Sequence, residues 1–139
     1  MDVETFTKAY NELDGSNLEV LKTVYHEDVV FEDPVHKVCG LPSLLTYFSE
    51  MFSNVSECRF DIGDVCQSGS LGYVTWTMTF IHPRINRGQA VCVDGTSHLK
   101  FLDGQVIYHR DYFDMGQMIY EHLPLLGSAI HFIKKRLAT

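Results

Sequence analysis

Val74-Thr75-Trp76-Thr77-Met78-Thr79-Phe80 alternates large apolar side chains with threonines. A period of two belongs to a strand with one buried face, and β-branched threonine suits the face turned to solvent. Upstream, Phe60 and Ile62 belong to a second strand, which ends in the polar, glycine-rich turn from Gln67 to Gly72. Downstream, Val91, Val93, Ser97, Leu99 and Phe101 mark a third, in which Asp94-Gly95 reads as a bulge. Leu102-Asp103-Gly104-Gln105 is a hairpin signal that returns the chain into a fourth strand, from Val106 through Phe113.

The first half has a different period. Val3, Phe6, Tyr10 and Leu13 recur at helical spacing up to the Asp14-Gly15 break. Ser16, with Glu19 three residues on, is a capping box for a second helix that buries Leu18, Leu21, Val24 and Tyr25. Val29-Val30-Phe31 is a short strand stopped at Asp33-Pro34, because proline gives a ladder no donor. A third helix opens near Pro42, and Leu41, Leu44, Leu45, Phe48, Met51 and Phe52 form its apolar stripe. The tail from Met115 to Leu137 is helical, interrupted at Pro124 and Gly127. Helices followed by a meander make an α+β fold rather than a parallel α/β one.

Composition limits the function classes. The formal charge is −7, with 11 Lys and Arg against 18 Asp and Glu. That balance argues against nucleic acid, whose phosphates need a basic face. Lys134-Lys135-Arg136, the one basic run, suits the carbonyl end of a last helix. The first residues lack the cationic and apolar regions of a secretory leader, and no apolar run is long enough to span a membrane. Cys39, Cys58, Cys66 and Cys92 are too widely spaced for a metal or redox motif. The expectation is a cytoplasmic protein with no membrane partner. None of the seven histidines sits in a ligand-spaced cluster with another histidine or cysteine, so neither metal nor cofactor is expected.

Two stretches carry a family resemblance. Tyr10 to Pro34, with its helix, Asp-Gly break, second helix and Glu32-Asp33-Pro34 strand end, resembles the start of ketosteroid isomerases. His109-Arg110-Asp111-Tyr112-Phe113-Asp114 resembles the last strand of limonene epoxide hydrolases and SnoaL-like cyclases. The resemblance implies one SnoaL-like domain over 1–139 with the nuclear transport factor 2-like fold. That fold is a cone-shaped, mostly antiparallel curved sheet on three N-terminal helices, enclosing a cavity. It also implies that Asp33 takes the place of the isomerase base and Asp111 that of the pocket aspartate, and that two copies pair as a homodimer. The chain departs from both enzymes. By register, Ala9 and Ser97 stand where the isomerases place oxyanion-hole donors, and Trp76 and Met78 stand where the hydrolases place an arginine and an aspartate. The resemblance therefore carries the fold but neither reaction.

The residues themselves suggest a chemistry. Trp76 and Met78 would make an apolar wall suited to a flat, apolar or aromatic small molecule. Asp111 falls on the same alternation as His109 and Phe113, opposite Tyr108, Arg110 and Tyr112. Carboxylates in such a pocket are general acid/base candidates, for an isomerase, cyclase or hydratase. Ser97, His109 and, at the rim, His36 complete the expected ligand contacts. Asp33 can equally be a turn cap, and Asp111 a structural partner of Arg110 or a histidine. A non-catalytic ligand-binding module and a dimeric protein-interaction domain stay open as alternatives.

Overall fold

The threonine-alternating stretch lies in β4 (Leu71–Ile81), which pairs antiparallel with β3 (Glu57–Ser68) on one side and β5 (Val91–Leu102) on the other. The structure, a computed structural model, describes residues 2–139. β5 turns back into β6 (Gln105–Phe113) through Asp103-Gly104, both at positive φ, the backbone a two-residue hairpin loop of the right twist requires. β6 then pairs in parallel with β1 (Tyr25–Glu32), which in turn pairs antiparallel with the short β2 (Lys37–Cys39). The sheet order is β2-β1-β6-β5-β4-β3. The sheet is mixed and mostly antiparallel, in the α+β class that the two sequence periods predict and with the sheet type that the resemblance implies.

Several details differ from the sequence reading. β1 begins at Tyr25, well before Val29, and β2 was not anticipated because three residues are too few to show a period. Asp94-Gly95 forms no bulge; the register runs unbroken through Trp76↔Gly95 and Thr77↔Asp94. Register shifts occur instead between Ile62 and Val65 and between Lys100 and Phe101. The Ser16 capping box does not form. Its hydroxyl and amide both turn back to the Asp14 carboxylate, at 2.6 and 2.9 Å, which leaves a single 3-10 turn (Leu18–Val20) before α2 (Leu21–Val24).

Helices cover one face of the sheet. α1 (Asp2–Glu12) buries Val3, Phe6, Ala9 and Tyr10, and α3 (Leu41–Ser53) buries Leu44 and Phe48. Val74, Trp76, Met78 and Phe80 of β4 meet them from the sheet. The opposite face carries Tyr73, Thr75, Thr77 and Thr79 beside His98, Thr96, Asp94 and Cys92. The tail supplies α4 (Met115–Met118) and α5 (Leu126–Ala138). Among the described residues no helix is long and apolar enough to cross a membrane.

Candidate functional site

Between the sheet and helices α1, α3 and α4 lies a cavity of about 420 Å³. Seven aromatic rings (Tyr10, Phe31, Tyr47, Phe48, Phe60, Trp76 and Phe113) and the methionines Met51, Met78, Met115 and Met118 make most of its wall. Asp33, His36, Glu50 and Asp111 are the titratable groups on it besides the two phenols. A larger depression of about 580 Å³ on the outer face is more open and runs between Asp61, Gly63, Asp94 and Gly95. Small-molecule sites are enclosed, apolar and furnished with a few convergent polar groups. The inner cavity fits that description and the outer one does not.

Asp111 ends a chain of hydrogen bonds that crosses the core. Ser97 Oγ donates to Asp111 Oδ1 at 2.6 Å, and Trp76 Nε1 donates to Ser97 Oγ at 2.9 Å. His109 Nε2 lies 2.5 Å from the same Oδ1, while its Nδ1 lies 2.7 Å from the Tyr25 hydroxyl. Tyr25 in turn meets the Tyr10 hydroxyl at 2.5 Å. One assignment of protons satisfies every member. Tyr10 donates to Tyr25, Tyr25 to His109 Nδ1, and the Nε2 proton of a neutral His109 to the Asp111 carboxylate. Burial pushes both phenols well above their ordinary range, and the Asp111 charge adds to this at Tyr10 and Tyr25, so both remain donors. Asp111 Oδ2 takes no hydrogen bond from the described residues. The aspartate side chain is 17% exposed, whereas His109 is 1% exposed.

Asp33 sits at the turn of the β1–β2 hairpin, closed by its own amide donating to the His36 carbonyl at 3.0 Å. Its Oδ1 accepts from the amides of Val35 and His36, at 2.8 and 2.6 Å, the side-chain turn that aspartate before proline favours. Its Oδ2 accepts from the Tyr47 hydroxyl at 2.8 Å, and the His36 ring nitrogen Nδ1 lies 3.1 and 3.2 Å from the two oxygens. Burial pushes the carboxyl up, but these bonds together outweigh it and hold Asp33 below the usual carboxylate range. Tyr47 is pushed up by burial and by that neighbouring charge. The turn-cap geometry and a place on the cavity wall therefore coexist in one residue.

The cavity brings together Asp33, Asp111, His36, Trp76 and Met78. Ser97 and His109 are not on its wall; they stand behind Asp111 and fix its orientation. From α1 the side chain that reaches the wall is Tyr10, one residue from the expected Ala9. Sequence reasoning placed Tyr10 and Tyr25 in the core without a further role. A buried phenol needs a hydrogen-bond partner, and that requirement was the available signal. Tyr47 falls at helical spacing from Leu44 and Met51, on the edge of the apolar stripe of α3, but that spacing alone gives its hydroxyl no role. Among the described residues no group of three or more His, Cys, Asp or Glu side chains is arranged to hold a metal.

Solved structures share this helix-covered sheet. A protein from Jannaschia sp. CCS1 assigned to the SnoaL-like polyketide cyclases is 19% identical, with a TM-score of 0.70 over 82% of this chain and 85% of that one. An LEH-like epoxide hydrolase from M. tuberculosis is 20% identical, with a TM-score of 0.67 over 84% and 83%. A protein of ketosteroid isomerase-like fold from Catenulispora acidiphila DSM 44928, in complex with trimethylamine, is 12% identical, with a TM-score of 0.74 over 87% and 90%. At these identities the similarity defines the fold, a nuclear transport factor 2-like α+β domain. The SnoaL-like domain model matches residues 3–109, and the chain belongs to that family. No curated protein matches it.

Proposed function

We propose that this chain is a cofactor-independent isomerase, cyclase or hydratase that uses aspartate acid/base chemistry on a small, largely apolar carbonyl compound. The observation that carries the reading is the asymmetry of Asp111: one oxygen is tied to Ser97 and His109, while the other has no described partner and the residue lines the cavity. A carboxylate held by one oxygen keeps its orientation while the other takes a proton from carbon next to a carbonyl, or from water. His109 and the two phenols behind it let the hydrogen-bond chain adjust as that charge is neutralised. Asp33 is the second carboxylate, ionised beside His36 just past the end of β1, the strand paired with the β6 strand that carries Asp111, and Trp76 and Met78 pack against the substrate. The small-ligand reading also draws support from the neighbour of this fold that holds trimethylamine.

The test is solvent exchange. Wild-type protein in D2O should speed deuterium incorporation next to the carbonyl in at least one of a panel of apolar cyclic ketones and lactones. Asp111→Asn should lower that rate by about 10²- to 10⁴-fold, the usual worth of a positioned acid/base group. Rates equal to buffer for every compound, with binding retained, would move the chain to a second reading, a non-catalytic binding module. The filled hydrogen-bonding capacity of Asp33 favours that alternative.

We infer further that two copies pair across the outer sheet face. That face has Lys100 and the Arg110–Glu32 pair at one end, Asp94 and the Arg59–Asp61 pair at the other, and threonines between. A two-fold axis through the threonines sets each end against its opposite. The free thiols of all four cysteines suit a reducing compartment such as the cytoplasm.

A further inference from the structure

The charge on the cavity wall is one-sided. Among the described residues Asp33, Glu50 and Asp111 face it, no lysine or arginine does, and His36 is the one imidazole. Three acidic side chains against one imidazole give the wall an acidic excess. The nearest arginine, Arg110, is spent on the far side: its Nη1 lies 3.3 Å from the Asp33 carbonyl oxygen and its guanidinium stacks 4.9 Å from the Tyr112 ring.

The rings reinforce the sign. Around Asp111, Tyr10 and Phe60 stand at 76°, Phe60 and Trp76 at 85°, and Trp76 and Phe113 at 60°, so successive walls turn about a common space. At the Asp33 end Phe31, Tyr47 and Phe48 pack with centroids 5.4 to 5.9 Å apart. Aromatic faces are the negative pole of the ring quadrupole and attract cations, more strongly when water is excluded. The hydroxyls and indole N–H that could have met an anion donate inward instead, Tyr47 to Asp33, Trp76 to Ser97 and Tyr10 to Tyr25.

We infer that the ligand is an apolar organic cation, a substituted ammonium of amine or quaternary type, with its charge between the aromatic rings and the two aspartates. The inference rests on the inner cavity being the ligand site. It also supplies something the wall lacks. A substrate that brings its own positive charge stabilises an enolate formed next to its carbonyl.

The experiment titrates the full chain with phenyltrimethylammonium, its neutral isostere tert-butylbenzene and the anion benzoate. Binding is followed by Trp76 emission and thermal shift. The ammonium should bind about tenfold or more tighter than tert-butylbenzene, and benzoate should not saturate, as desolvated cation–ring and carboxylate contacts dictate. Asp111→Asn should weaken the ammonium about tenfold and leave tert-butylbenzene within about twofold. Should that variant not fold, Glu50→Gln at the exposed rim should weaken the ammonium by about two- to threefold. Equal or tighter binding of tert-butylbenzene overturns the cation inference and leaves the cavity reading standing. A cation preference unchanged in the folded variants overturns the role given to the carboxylates, and no binding by any of the three overturns both readings.

Discussion

Gly95→Ala tests the packing that sets the shape of the pocket. Gly95 lies opposite Trp76 in the β4–β5 ladder, and a Cβ built there would stand 2.2 Å from the indole Cη2, 2.3 Å from Cζ2 and 2.8 Å from Cζ3. Carbon atoms in ordinary contact are about 3.5 to 4 Å apart, so the ring must retreat by roughly 1.3 Å or more. A shift of that size is enough to break the 2.9 Å bond from the indole N–H to Ser97, which in turn steadies Asp111. Overpacking costs about 1–3 kcal/mol and the lost hydrogen bond about 1 kcal/mol. The smaller entropy of the unfolded alanine chain returns about 0.4–1 kcal/mol. The net is a loss of about 2–3 kcal/mol, or roughly 5–10 °C in melting temperature for a chain this long. Thermal denaturation measures it, and the emission of the single tryptophan reports the ring's new surroundings. On a Trp76→Phe background the clashing atoms are gone, so the same glycine substitution should be close to neutral. A Gly95→Ala protein that melts within about 1 °C of wild type, or one equally destabilised with Trp76→Phe, would refute the reasoning.

Two further outcomes are expected. Asp33 has a depressed carboxyl, so its contribution to stability is complete above the unfolded value of about 3.9 and is lost as pH falls from there through the folded value. Asp33→Asn should therefore melt lower than wild type by a constant margin from pH 8 to 5, and the margin should shrink below about pH 4. A margin that does not change with pH would show that shape rather than charge matters. If two copies meet across the outer face, light scattering should return twice the 15.9 kDa chain mass, and Asp94→Lys should weaken pairing about tenfold or more by setting like charges together. A wild-type mass near 16 kDa at micromolar concentration would sink the pairing.

Local rules made much of this fold legible. The alternation through Trp76 and Met78 marks the buried face of β4, and Asp103-Gly104 marks the hairpin, because both signals are contained within a few residues. The parallel pairing of β1 with β6 was not legible. It joins Phe31 to His109, and no period within either strand names its partner. The same limit governs the site. Asp33 and Asp111 are candidates through the family resemblance, with a strand end and an alternation beside it. The Tyr25 to His109 bond, by contrast, spans 84 residues and exists only once the sheet has closed. Ser16 shows the reverse failure: a correct capping spacing lost to a nearer competitor, Asp14.

That parallel pairing also orders assembly in time. β3 to β6 pair with their neighbours in sequence, whereas β1 must wait for the last strand to be made before it has a place to dock. Until β1 docks, the β6 edge is unpaired, an open template for another chain. Tyr10 and Tyr25 arrive with the early segment, and His109 and Asp111 with the late one. The hydrogen-bond chain behind Asp111 is thus completed only by a long-range closure, so a nascent or truncated copy lacking that junction leaves the Asp111 carboxylate without its Tyr25–His109 support.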